Sequence, residues 1–261
     1  MIRYAANISM LFKEVPFPER FSRAAKAGFS AVEFWSPWEH DARELLAAVE
    51  EADVRVVQFN LPEGELGEGG FLSDPDRRND WRESLVEALD LAARMGARQI
   101  NAPAGVRLAG LTRQEQISCL EDNLRWAIAY LESSGLLLML EALNAHENPG
   151  YLLTHSWEVL GILRRIDSPW IRFQYDVYHM QRMEGNLVET LRESLSRIGH
   201  IQVGDCPGRH QPGTGEINYP FVLRSLDELG YEGYVGLEYV PLGTTAESLA
   251  WLHFDHGTLG P

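Results

Sequence analysis

Short apolar runs alternate with longer amphipathic stretches from one end of the chain to the other, and no other feature limits the fold so strongly. Strands are expected at Tyr4 to Ser9, Ala31 to Phe34, Arg55 to Asn60, Arg98 to Ala102, Leu136 to Glu141, Ile171 to Tyr175 with Asp176 at its end, Ile198 to Val203 and Tyr234 to Glu238. Helical patterns lie between them: Phe17 to Gly28, Ala42 to Ala52, Arg78 to Met95, Thr112 to about Ser133, Ser156 to Ile166, Leu187 to about Arg197 and Pro220 to Leu229. Thr244 to His253 closes the set. Gly28 and Gly96 stop two of these helices. Asp41 and Ser156 are placed to cap two more, and Thr112 with Glu115 three residues on makes a capping box. Eight strand–helix units with short connections and no break in composition predict one (β/α)₈ TIM barrel over 1–261, with its active site at the C-terminal ends of the strands. A doubly wound open sheet fits less well, because Tyr4 to Leu11 lacks the glycine fingerprint that would follow its first strand. One connection is long. Leu61 to Asp76, rich in Gly and Glu, has the length of a functional lid or a disordered segment.

At 261 residues and 45% hydrophobic, the chain can bury a large core. A formal net charge of -15 gives no general attraction to nucleic acid or to an anionic membrane, so an anionic substrate needs a locally positive site. Two cysteines, Cys119 and Cys206, make neither a disulfide framework nor a thiolate metal site. The N-terminus has no basic region followed by a long apolar stretch, and nowhere do about eighteen apolar residues run together. A soluble, cytoplasmic protein with no membrane partner is expected, and its oligomeric state, including a homo-oligomer, is left open.

The stretch Gly135 to Asn144 reads GLLLMLEALN, a doubly buried strand that ends in the carboxylate of Glu141. Asp176, Gln202 and Glu238 hold the matching position on the next three strands, at separations of 35, 26 and 36 residues, each about one strand–helix unit. Neighbouring strands would aim these four side chains at one point. Any one of them alone could simply mark where an apolar strand meets water, but the set in register points to a metal. Three carboxylates and an amide carbonyl form a hard oxygen set suited to Mg²⁺ or Mn²⁺ rather than Zn²⁺. In YDVYHMQ, His179 follows Asp176 by three residues and is a loop histidine close enough to serve the same site. Arg209 and His210, in the loop DCPGRHQPGTGE, are candidates for holding a carboxylate. Gly213-Thr214-Gly215 in that loop reads as turn chemistry rather than a nucleotide cradle. Trp35, Pro37 and Trp38 are pocket walls or rim packing, and Asn7, Gln58, Asn60 and Asn101 are candidate outer donors. Glu63, Glu65 and Glu68 read as a solvated loop, His253 and His256 as surface residues.

The strings AANISMLFKEVPFPERFSRAAKAGFSAVEF, LEALN followed by NPGYLL, QYDVYHMQ, HIQVGDCPGRHQPGTGEINY and GLEYVP together resemble the hydroxypyruvate isomerase family, within the xylose-isomerase-like barrel group. The resemblance implies a metal held by Glu141, Asp176, Gln202 and Glu238, with Glu141 and Glu238 doubling as the acid/base pair and His179 and Arg209 touching substrate. Related epimerases carry a histidine where this chain has Gln202, which places it on the isomerase side. The chain departs from the family at FWSPWEHD and in the loop Leu61 to Asp76, both on the substrate side. The substrate implied is a small 2-oxo acid with a 3-hydroxyl, hydroxypyruvate first, converted through an enediolate to tartronate semialdehyde. A 2-oxo-tetronate isomerase or ketose 3-epimerase could use the same groups, and so could a non-catalytic barrel that binds a metal or a sugar acid. A metal-dependent nuclease usually needs several zinc ions, many His ligands and a basic face, against which the composition argues.

Overall fold

In a computed structural model that describes residues 2–253, the eight expected strands form a closed, all-parallel barrel in chain order. They are β1 (Arg3–Asn7), β2 (Ala31–Phe34), β3 (Arg55–Asn60), β4 (Gln99–Asn101), β5 (Leu137–Glu141), β6 (Ile171–Asp176), β7 (Ile198–Val203) and β8 (Tyr234–Leu237). Pairing of Ala6 with Leu237 closes the barrel between β1 and β8. The helices are α1 (Phe17–Lys26), α2 (Ala42–Ala52), α3 (Arg78–Met95), α4 (Arg113–Ser134), α5 (Ser156–Ile166), α6 (Val177–Met183), α7 (Leu187–Ser194), α8 (Tyr219–Glu228) and α9 (Thr245–Ser248). No helix among the described residues is long and apolar enough to cross a membrane.

The two faces of a barrel strand have different work. In β2, Val32 and Phe34 join the core outside the barrel, where Phe34 meets Phe21 of α1 edge-on with ring centres 5.7 Å apart. Burying such a ring contributes roughly 1.5–3 kcal/mol. Glu33, between them, points the other way, because successive strand side chains alternate. The barrel interior is accordingly polar, and hydrogen bonds cross it: Gln58 of β3 donates to Gln174 of β6 at 2.8 Å, and His200 of β7 meets Glu33 of β2 at 2.5 Å.

Several local expectations change. YDVYHMQ is not a loop: Asp176 Oδ1 accepts from Tyr178 N at 2.8 Å and caps α6, which carries His179. Ser156 is the first residue of α5 rather than its cap. The cap position is His155, whose N–H donates to Glu158 Oε2 at 3.0 Å. The Thr112–Glu115 box forms as expected. β8 ends at Leu237, one residue before Glu238. The stretch Leu187 to Arg197 tightens into a 3₁₀ turn at Leu195–Arg197, and the closing stretch divides into α9 and a 3₁₀ turn at Ala250–His253. His256 lies outside the described residues.

The long loop packs against the barrel top. Phe71 and Leu72 are buried, Arg77 stacks over Phe71 and pairs with Glu68 at 2.6 Å, and Gly69 O accepts from Gly105 N. Cys119 and Cys206 are buried free thiols.

Candidate active site

Glu141 ends β5, Asp176 ends β6, Gln202 lies near the end of β7 and Glu238 follows β8, and all four are buried. Polar atoms so placed are costly without partners, and each has them. Glu141 Oε2 accepts from Asn101 Nδ2 at 3.0 Å and from Gln174 Nε2 at 2.9 Å. Glu238 Oε1 accepts from Asn7 Nδ2 at 3.0 Å and from the Trp35 indole N–H, and its Oε2 accepts from Arg209 Nη2 at 2.5 Å. The same Arg209 nitrogen reaches Asp176 Oδ2 at 3.2 Å, so one guanidinium bridges two carboxylates. Gln202 sits lower and does not border the cavity above. Its Oε1 accepts from Gln174 Nε2 at 2.7 Å, and its Nε2 donates to Glu33 at 2.7 Å. Gln174 Nε2 thus draws the Gln202 carbonyl and the Glu141 carboxylate to one nitrogen.

His179 is held from α6. Its Nδ1 accepts from the Asn144 backbone N–H at 3.2 Å, which puts the ring proton on Nε2, 3.4 Å from Asp176 Oδ2. Asn144 is fixed in turn by Glu147 at 3.1 Å, and Glu147 accepts from Tyr178 Oη at 2.5 Å and from Arg182 at 2.8 Å. One ligand atom from each of Glu141, Asp176 and His179 lies within 4.8 Å of the other two, a spacing open to a metal ion. Above them is a cavity of about 230 Å³ bordered by Trp35, Asn60, Glu63, Glu141, His179, Arg209 and Glu238 among others.

Burial, with Glu238 and Asp176 close by, pushes the Glu141 carboxyl well above the carboxylate range. Burial likewise pushes Asp176 up to about 7, against Arg209 and with Glu238. Burial works against the charge on Arg209, but the surrounding Glu238, Asp176 and Glu141 raise its pKa further. His179 is moved well below its usual value by burial and by the positive charges of Arg209 and Arg182, so it stays neutral. Three carboxylates around one arginine leave surplus negative charge at one point. A divalent cation fits that donor set.

Arg209 is positioned by its loop. It adopts φ 52°, a left-handed conformation uncommon outside glycine and frequent at functional sites. The loop is gathered on Asp205, whose Oδ2 accepts from the N–H groups of Gly213, Thr214 and Gly215 at 2.8–3.0 Å and whose Oδ1 accepts from Cys206 and Ile217. PGTGE is therefore an anion nest that its own chain fills. A Cβ on Gly215 would lie 2.0 Å from Cys206 O, so only glycine lets the backbone come this close.

Other expectations sort by geometry. Asn7, Asn101 and Gln58 are donors in the buried network, and Asn60 donates to Glu63 at 3.1 Å. Glu63 is not merely a solvated loop residue. It stands exposed at the cavity mouth, yet crowding by protein atoms raises its carboxyl against the Asn60 hydrogen bond, with Glu238 and Glu39 adding to the rise. His210 turns away, its Nδ1 bonding Val240 O at 2.8 Å, and holds no site carboxylate. Sequence reasoning missed Glu33, His200, Gln174, Asp205 and Glu147. The signal for Glu33 was a charged residue inside the apolar run AVEF.

The family described as xylose isomerase-like TIM barrel matches residues 21–253. The hydroxypyruvate isomerase of Escherichia coli (strain K12) is 37% identical over 97% of this chain and 98% of its own, and the 2-oxo-tetronate isomerase of Pectobacterium atrosepticum is 39% identical over 96% and 97%. A Brucella melitensis crystal structure, described as AP endonuclease, family 2, superposes with a TM-score of 0.94 at 36% identity over 98% of this chain and 99% of that one. From its sequence relatives and its barrel alike, the chain belongs to the xylose isomerase-like TIM barrel family, on its hydroxypyruvate isomerase branch, and is an isomerase.

Proposed function

We propose that this isomerase interconverts hydroxypyruvate and tartronate semialdehyde, using Glu141 and Glu238 as its acid/base pair and a Mg²⁺ or Mn²⁺ ion held by Glu141, Asp176, Gln202 and Glu238. The observation that carries the reading is that two buried glutamates border one cavity together with the Arg209 guanidinium and the neutral His179 ring. His179 carries its proton on Nε2, which suits it to donate to a substrate oxygen rather than to ligate. When bound, the ion would supply positive charge where the substrate oxygens become negative.

The residues of the chain account for the proton movements. One glutamate takes the C3 proton and a proton is returned to C2, while the hydroxyl proton passes from O3 to O2. Nothing is oxidised or reduced by a co-reactant. Arg209 and His179 hold the anionic end of the substrate within a chain of net charge -15. The same acid-lined cavity opposes a phosphodiester backbone.

Glu63 favours a second reading, a four-carbon 2-oxo-tetronate. An acceptor carboxylate at the mouth opposes a second anion but accepts a hydrogen bond from a hydroxyl one carbon further from the reacting centre. The test is an assay of metal-stripped protein, reloaded with Mg²⁺ or Mn²⁺, against hydroxypyruvate and four-carbon 2-oxo acids. Activity should disappear on stripping and return on loading. Turnover indifferent to metal would remove the ion from the reading, and loaded protein inert on both substrates would remove the substrate class.

A further inference from the structure

Below the site lies a charged group that the proposed reaction does not use. Glu33 is fully buried, does not border the cavity, and has all its hydrogen bonds inside the barrel. Its Oε1 accepts from Gln202 Nε2 at 2.7 Å and from Asn7 Nδ2 at 3.0 Å, and its Oε2 meets His200 Nε2 at 2.5 Å. Space for the carboxylate is kept by β8: a Cβ on Gly236 would lie 2.4 Å from both of its oxygens.

We infer that Glu33 is a positioning residue that sets the orientation of two site groups, the Gln202 amide and the Glu238 carboxylate. An amide side chain presents a carbonyl on one side and an NH₂ on the other, and a half-turn exchanges them. Glu33 accepts only, so it holds the NH₂ of Gln202 toward itself and the carbonyl toward Glu141, with one lone pair on Gln174 and the other free. Asn7 Nδ2 uses its two hydrogens on Glu33 Oε1 and Glu238 Oε1, which ties the second site group to the same anion. His200 makes the third polar contact, at Glu33 Oε2, without touching the site. Remove the anion and the Gln202 amide is free to turn its NH₂ toward a cation, which repels it.

The inference rests on the metal reading above, and the test separates the two. Mn²⁺ dissociation constants are measured by the EPR signal of free Mn²⁺ on wild type, Glu33→Met and Gly236→Ala. Leu85→Ala, in the outer helix layer, is the control for general loss of stability. Groups that orient metal ligands typically change affinity about 10–100-fold when mutated. Glu33→Met, which keeps the length of the side chain but offers Gln202 and Asn7 no acceptor oxygen, should weaken Mn²⁺ by that factor, while Leu85→Ala lowers the melting temperature and leaves the constant within about twofold. A folded Glu33→Met with wild-type Mn²⁺ affinity, or an equal loss in Leu85→Ala, overturns the proposal. If Glu33→Met does not fold, Gly236→Ala, which displaces the carboxylate, decides by the same criterion, and failure of both to fold assigns Glu33 to the fold alone and overturns it too. Wild type that binds no Mn²⁺ removes the metal reading and this proposal together.

Discussion

Asp176 shows how single residues set the conditions under which this site works. Its carboxyl, pushed up to about 7 by burial against the pull of Arg209, is half-protonated near neutral pH when no cation is present. A cation binds the ionised form. Above pH 7 the oxygen is already free, and below it a proton must leave first, so affinity falls as pH falls, by about tenfold per pH unit for each proton displaced. Glu141, raised in the same direction, adds to the slope. Mn²⁺ titrations at pH 8, 7 and 6 should therefore show a dissociation constant that climbs at each step; a constant independent of pH would contradict the ligand assignment. His179 adds no opposing step, because burial and two nearby arginines keep it neutral throughout this range. For the proposed chemistry, Glu141→Gln and Glu238→Gln each remove one member of the proposed acid/base pair while keeping the shape, and each should lower kcat by roughly 10²–10⁴-fold. Circular dichroism should report an intact fold in both, and either variant at full activity would remove that glutamate from the acid/base role.

At the scale of elements, the loop between β7 and α8 is the part whose internal bonding has most bearing on the site, since Arg209 depends on it. Asp205→Asn keeps one acceptor oxygen but turns an NH₂ toward backbone N–H groups, and leaving such buried donors unmet should cost about 3 kcal/mol. For a chain of this size that is a fall in melting temperature of roughly 6–12 °C. Because Arg209 moves with the loop, KM should rise as well, and a stabilised background that restored the melting temperature would leave the KM defect in place. Steady-state kinetics beside calorimetry checks both. The same elements explain what could be read from residues alone. Strand ends were legible because an apolar run that stops at Glu141 or Asp176 marks both the strand and the mouth of the barrel. α6 was not, because VYHMQRM is seven residues long, too short to display a helical period, and follows its strand without a break. The Asp205 nest needs contacts up to twelve residues apart in a loop with no regular pattern. Glu33 and His200 are 167 residues apart, and only closure of the barrel makes them neighbours.

Considered as a whole, the molecule gathers its ligand candidates on one arc of the barrel, β5 through β8, so a bound cation would tie together four strands, three of which carry carboxylates that otherwise repel one another across a buried site. A ligand that binds only the folded state stabilises it by RT ln(1 + [L]/Kd), about 2.7 kcal/mol at a hundredfold excess over Kd. At roughly 2–4 °C per kcal/mol, Mn²⁺ at that excess should raise the wild-type melting temperature by about 5–11 °C. Glu141→Gln separates two contributions to this stability. Without metal, the variant has lost one of three crowded acids and should melt no lower than wild type, since the amide keeps its partners Asn101 and Gln174 and relieves the repulsion. With Mn²⁺ at the same concentration the order should reverse, because the variant lacks a ligand and gains little. Differential scanning calorimetry of both proteins, with and without the ion, reads the four temperatures directly. An equal rise in wild type and variant would place the ion elsewhere on the barrel, and a metal-free variant that melts well below wild type would mean that the Glu141 carboxylate stabilises the empty site.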